Sequence, residues 1–186
     1  MTTLTRVNLR ELTVADVARV VELTRTTGVF REEEIAIAEE VVTEAVKADG
    51  TDRSDIADGN DRPDRLDRPD RPYYTLGAEV DGRVVGWICW GATPCTVATW
   101  DLYWMAVDPE VHGQGVGTAL LEEMENRLSD KARLIVIDTS GRPDYAPTRA
   151  FYRARGYQTA AVVRDFYALG DDQVIFSKRL LRDRRY

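Results

Sequence analysis

An α/β domain built around one mixed sheet is the fold class that this 186-residue sequence predicts. Three observations point to it. Runs rich in β-branched and aromatic residues alternate with stretches of helical period in the order β-α-α-β-β-β-α-β-α-β-β. Asp81-Gly82, a dipeptide suited to a tight hairpin turn, divides two of those runs. A glycine-spaced segment, His112-Gly113-Gln114-Gly115-Val116-Gly117, lies directly between a strand and an amphipathic helix. The length suits one hydrophobic core, so residues 1–186 read as a single domain.

Residues 4–10 alternate weakly and read as an edge strand. Thr13, a residue type that caps helices, precedes the stripe Val14, Val17, Val20, Val21 and Leu23. A second helix is expected over 31–48, with Ile35, Ile37, Ala38, Val41, Val42 and Val46 apolar, and Phe30 on the connection before it. Over 49–72 aspartate recurs at every third position and arginine and proline fill much of the later interval. Such a stretch has little to bury and reads as a mobile loop insertion. It fails as a calcium loop, which needs acidic or amide groups at alternate positions, a central glycine and a terminal glutamate.

Strands are expected over 74–80 and 83–91 on either side of Asp81-Gly82, then over 99–107. A helix over 117–128 carries Leu120, Leu121, Met124 and Leu128 on one side. Residues 134–137 form a continuous apolar run, as in a strand covered on both faces. A helix over 144–155 tolerates Pro147 in its first turn and stops at Gly156. Strands over 157–169 and 174–180 close the chain around Gly170-Asp171-Asp172.

A net charge of −7 argues against nucleic acid or an anionic membrane surface as partner, since both reward basic faces. The arginine-rich end, 182–185, reads as a solvated tail. No apolar run reaches bilayer length, and the first ten residues lack the apolar centre of a signal peptide. Cys89 and Cys95 make neither a disulfide framework nor a metal pattern, and His112 is the one histidine of the chain. A metal site or a Ser-His-Asp triad is therefore not expected, and a cytoplasmic enzyme or binding module is.

The segment 107–117, Val-Asp-Pro-Glu-Val-His-Gly-Gln-Gly-Val-Gly, has the chemistry of a phosphate cradle. A helix start offers unpaired N–H groups and a positive dipole end, and glycines let an anion approach the backbone. Neither the dinucleotide fingerprint nor the P-loop ending in Gly-Lys-Ser/Thr is present. The string resembles motif A of the GNAT superfamily of N-acetyltransferases: a strand ending in Val107, then Pro109, then His112, Gly115 and Gly117 where that motif has Gln/Arg-x-x-Gly-x-Gly/Ala. A second stretch, Tyr145 to Tyr157 with Tyr152 four residues before Gly156, looks like the family's motif B. The element order also matches the family fold, a mixed, mostly antiparallel sheet flanked by helices.

The resemblance implies acetyl-coenzyme A as co-substrate and the primary amine of a small molecule or peptide as acceptor. It implies pantetheine pairing along Met105, Ala106 and Val107, and pyrophosphate binding by His112, Gly113, Gln114, Gly115, Val116, Gly117 and Thr118. Tyr152 takes the place of the acid that protonates the departing thiolate. Asp101 falls where several members carry a glutamate base. Phe30, Tyr103 and Trp104 are candidates to line the acceptor pocket. The resemblance also admits a homodimer, and a non-catalytic acyl-coenzyme A-binding module on the same scaffold.

Three departures stand out. His112 replaces Gln or Arg, which leaves two expectations open: a cofactor affinity that weakens as pH rises through neutrality, or a neutral donor whose grip does not change with pH. Tyr145 replaces the Asn that often touches pantetheine, and Thr148 replaces Ala.

Overall fold

The computed structural model describes residues 7–50 and 71–180. Residues 51–70 of the Asp/Arg/Pro-rich stretch and the terminal arginines lie outside them. Among the described residues eleven regular elements follow the expected order. They are β1 (Asn8–Arg10), α1 (Val17–Thr26), α2 (Glu32–Gly50), β2 (Tyr74–Val80), β3 (Arg83–Ala92), β4 (Thr99–Val107), α3 (Val116–Arg127), β5 (Leu134–Ser140), α4 (Ala146–Ala154), β6 (Gln158–Ala168) and β7 (Asp171–Arg179). The strands form one seven-stranded sheet in the order β1-β2-β3-β4-β5-β7-β6. The β4–β5 pair is parallel, whereas β1–β2, β2–β3, β5–β7 and β6–β7 are antiparallel. The sheet is therefore mixed and mostly antiparallel, as expected.

By contact the chain divides into two units, Met1–Gly91 with Trp104–Arg127 and Ala92–Tyr103 with Leu128–Tyr186. In the first, α1 and α2 bury Val20, Leu23, Ala38, Val42 and Val46 against Val84, Trp87, Cys89 and Ala106 of the strands. Burial of the Cys89 thiol pushes its pKa up, so it behaves as a small apolar side chain and not as a nucleophile. On α3, Val116, Leu120, Leu121 and Met124 are buried. Gly86 on β3 admits that helix: a Cβ there would lie 2.9 Å from Val116 Cγ1 and 3.1 Å from Leu120 Cδ1. In the second unit, Tyr152 of α4 packs against Tyr157 and against Phe176 of β7.

Several expectations need correction. Val14 and Ile37 are exposed. Val14 falls in a 3₁₀ turn, Val14–Asp16, ahead of α1 and off its apolar stripe. Ile37 is two residues beyond the buried Ile35, which on a helix turns it away from the face shared by Ile35, Ala38, Val42 and Val46. At the start of that turn the Asp16 carboxylate accepts from both the N–H and the hydroxyl of Thr13, so the two residues cap each other. β5 runs three residues further than expected and is covered chiefly on one face, with Ile135, Ile137 and Thr139 buried and Asp138 exposed. α4 is shorter because Pro143–Tyr145 forms a 3₁₀ turn before it.

Candidate active site

In the first unit the cofactor-type loop leaves β4 at Val107 and reaches α3 at Val116. Its entry is fixed by Asp108, whose N–H donates to Val85 O at 2.8 Å. The Asp108 carboxylate is buried; Oδ1 accepts from the Glu110 N–H at 3.1 Å and Oδ2 from Arg19 Nη2 at 2.7 Å. Burial alone would raise its pKa, but the Glu110 N–H, Arg19 and, at 3.9 Å, Arg83 reverse this and hold it below the usual carboxylate value.

Gly113 and Gly115 have φ of 77° and 87°, the left-handed region in which a side chain is strained. A Cβ at either would meet nothing within 4 Å, so backbone conformation and not crowding selects glycine here. The first bond into α3 runs from the Ala119 N–H to Gly115 O at 2.9 Å. The N–H groups of Val116 and Gly117 therefore have no carbonyl partner within the helix. No acidic side chain occupies the first turn of α3 to compete for an anion. Chemically, the loop can hold a phosphate on backbone N–H groups.

His112 is exposed, and its Nε2 lies 3.0 Å from Val107 O. A carbonyl only accepts, so Nε2–H is the donor and the ring ties the loop back to the end of β4. Met105 and Val107 are half-buried and Ala106 is buried on that strand. Also in this unit, the rings of Phe30 and Trp104 lie 5.3 Å apart, and Trp104 stacks on Trp87 at 6.4 Å. Trp87 donates through Nε1 to Thr24 Oγ1 of α1 at 3.0 Å. Among the four tryptophans Trp87, Trp90 and Trp100 are buried, while Trp104 is half-buried beside Phe30.

In the second unit Asp101 lies on β4, where the β5 register runs from Thr99↔Leu134 to Leu102↔Ile137. Asp101 pairs with Val136, so Asp138, two residues along β5, shares its face of the sheet. Thr93 donates its hydroxyl to Asp101 Oδ2 at 2.7 Å, and the buried Gln173 donates through Nε2 to Asp138 Oδ2 at 2.9 Å. Partial burial, and then the neighbouring Asp101 charge, push the Asp138 carboxyl up, with the Gln173 bond opposing them. Tyr103 is exposed.

Tyr152 is buried, ringed by Phe151, Tyr157 and Phe176. Burial, followed by the nearby Tyr145, pushes its phenol well above the ordinary tyrosine value, so it is a neutral donor at pH 7. Phe176 pairs with Ile137. Side chains alternate along a strand, which puts Tyr152 on the face of the sheet opposite Asp101 and Asp138.

The acetyltransferase (GNAT) family model matches residues 36–157, which is more than half of the chain. The chain belongs to the GNAT family of acetyltransferases. A GNAT-family protein from Desulfovibrio desulfuricans is 32% identical and superposes with a TM-score of 0.78, covering 95% of this chain and 100% of that one. An uncharacterized N-acetyltransferase of Methanocaldococcus jannaschii is 33% identical over 106 residues, 55% of this chain, and the match spans 64% of that relative's length. The PaiA N-acetyltransferase from Thermoplasma acidophilum, solved in complex with coenzyme A, shares the fold with a TM-score of 0.66 at 17% identity, over 94% of this chain and 99% of that one.

On this GNAT chain, sequence reasoning singled out the loop, Asp101 and Tyr152 but missed Arg19, Asp138 and Gln173. Arg19 and Asp108 are 89 residues apart, and Asp138 and Gln173 are 35 apart. Strand alternation could have paired Asp138 with Asp101, but only once the β4–β5 register was known. Arg149 of α4 donates through Nη1 to the carbonyls of Ser140 and Arg142 at 2.7 and 2.8 Å and fastens the β5–α4 turn. Among the described residues no group of three or more His, Cys, Asp and Glu side chains could hold a metal ion, and no helix is long and apolar enough to cross a membrane.

Proposed function

We propose that the protein transfers the acetyl group of acetyl-coenzyme A to a primary amine of a small molecule or peptide, by direct attack within a ternary complex. The observation that carries this reading is the loop between β4 and α3: two left-handed glycines and an acid-free helix start, in a GNAT chain. Val116, Gly117 and Thr118 of the first turn, with Gly113, Gln114, Gly115 and His112 before them, hold the pyrophosphate. The backbone of Met105, Ala106 and Val107 aligns the pantetheine arm, and Phe30, Trp104 and Tyr103 border the acceptor.

In the reaction the amine nitrogen forms a C–N bond to the thioester carbonyl carbon while the C–S bond breaks. Asp101, held by Thr93, takes the ammonium proton that would otherwise block attack. Once the C–N bond has formed the nitrogen carries a second surplus proton, which it releases to solvent; Tyr152 gives its phenolic proton to the departing sulfur and recovers one from solvent. Its raised pKa supports that role, since it keeps a proton available across the neutral range.

A second assignment, Asp138 as the proton acceptor, is favoured by one observation: its pKa is raised, which makes its carboxylate a stronger base than an ordinary aspartate. The two carboxyls share a face of the sheet.

The test is release of coenzyme A thiol from acetyl-coenzyme A across amino acids, polyamines, aminoglycosides and peptides. Amine-dependent release with N-acetyl product is expected. Coenzyme A binding without release for any amine identifies a binding module instead.

A further inference from the structure

Arg19 belongs to none of the elements discussed as cofactor-binding, yet its guanidinium is largely buried and all three of its nitrogens are engaged. Nη2 donates to Asp108 Oδ2 at 2.7 Å, Nε to Val84 O at 2.9 Å, and Nη1 to Glu22 Oε2 at 2.9 Å. Asp108, the receiving residue, is the first of the loop and is only 3% exposed. Its two carboxylate oxygens do different work: one accepts from Arg19, the other from the Glu110 N–H in the 3₁₀ turn Pro109–Val111. Its N–H is tied to Val85 O.

Both ends of the loop therefore rest on three consecutive residues of β3. Val84 O anchors Arg19, Val85 O anchors Asp108, and Gly86 is the contact for Val116 at the start of α3. A guanidinium is suited to this station because its planar fork serves a carboxylate and a carbonyl at once. We propose that Arg19 is a positioning residue for the pyrophosphate loop. It holds Asp108, and through it the turn 109–111, at the setting that presents the glycine-rich backbone to an anion.

Two physical consequences follow from removing the guanidinium. A carboxylate left uncompensated in a buried place either swings out to water or gains a proton. Swinging out drags the Glu110 N–H and the first turn of the loop with it. If it stays and gains a proton, the neutral carboxyl accepts more weakly from the Glu110 N–H and holds the turn 109–111 less firmly. Each route weakens the grip on the pyrophosphate and leaves the acceptor-side rings Phe30 and Trp104 in contact.

This inference rests on the coenzyme A-binding part of the proposed function. The experiment is calorimetric titration of coenzyme A into the wild-type protein and into Arg19→Gln, Arg19→Lys, Asp108→Asn and the Arg19→Gln/Asp108→Asn double variant. Thermal midpoints are recorded alongside, and steady-state constants are measured with whichever amine turns over. Arg19→Gln is expected to raise the Kd for coenzyme A about tenfold, and KM for acetyl-coenzyme A in parallel. kcat and the acceptor KM should stay within about threefold. Arg19→Lys should recover part of the affinity, since an ammonium restores the charge but not the fork. The double variant should lose no more than the worse single one.

If Arg19→Gln does not fold, Arg19→Lys and Asp108→Asn carry the same comparison. A lowered thermal midpoint with coenzyme A affinity equal to wild type would show that the pair is structural only and overturn the proposal. No coenzyme A binding by the wild-type protein would instead overturn the functional reading itself.

Discussion

Asp108, just past β4, and Asp138, within β5, are both aspartates of a GNAT chain, and the protein treats them in opposite ways. Asp108 is buried, yet hydrogen bonds and the Arg19 guanidinium hold its pKa below the ordinary range. Asp138 reaches solvent, yet burial of part of its surface and the adjacent Asp101 hold its pKa above it. Carboxylates neutralised by a fixed cation serve architecture, whereas like charges left side by side store the tendency to take up a proton. The loop end of the molecule is thus built from satisfied groups and backbone. The β4–β5 face in the other unit carries Asp138, a carboxyl held readier to take up a proton than an ordinary aspartate.

The largest expected effect sharpens the chemical side of this contrast. Tyr152→Phe should lower kcat by about 10²-fold or more while coenzyme A affinity stays near wild type. Loss of affinity with unchanged kcat would make Tyr152 part of the binding core instead. Next comes the carboxylate pair. Asp101→Asn should cost about 10²-fold in kcat/KM, and in that variant NMR titration of Asp138 should fall back toward the ordinary value as the neighbouring charge disappears. If Asp138→Asn abolishes turnover while Asp101→Asn spares it, the proton acceptor is Asp138.

On the loop side, Gly86→Ala forces Val116 and Leu120 aside and should cost about 1–3 kcal/mol, or a thermal midpoint lower by about 2–4 °C for each kcal/mol. Coenzyme A affinity should drop with it, because the start of α3 moves. A destabilised variant of full affinity would separate helix packing from cofactor binding.

The smallest effect concerns Asp16, which Arg10 engages with both terminal nitrogens at 2.8 Å. That hydrogen bond, with burial opposing it, lowers the Asp16 pKa from 3.8 to about 2. A folded-state pKa below the unfolded value stabilises the fold above about pH 4 and is lost as pH falls from 3.8 through about 2. Acid titrations of wild type and Asp16→Asn, followed by circular dichroism, should converge over that window. Curves that stay parallel down to pH 2 would remove Asp16 from the acid response.

How far the sequence could be read follows the same division. Local signals placed the elements well: Asp81-Gly82 turns the β2–β3 hairpin, and the glycine spacing marks the start of α3. Where the expectation missed, a turn or a helical phase was misjudged, as at Val14 and Ile37. The loop could be recognised because its device is backbone geometry, which a run of glycines writes directly into consecutive residues. Arg19 with Asp108, and Asp101 with Asp138, could not, because each pair is brought together by strand register or helix packing across a long stretch of chain. The charge state of Asp108 depends on Arg19 as well as on the Glu110 N–H beside it, and that of Asp138 on burial and on Asp101, so neither follows from sequence neighbours alone.

The most direct test of the account is thiol release by the wild-type protein in the presence of acetyl-coenzyme A and a panel of amines. Amine-dependent release is expected, with one N-acetylated product for each thiol freed and loss of that release in Tyr152→Phe. Tight coenzyme A binding with no release for any amine would contradict it.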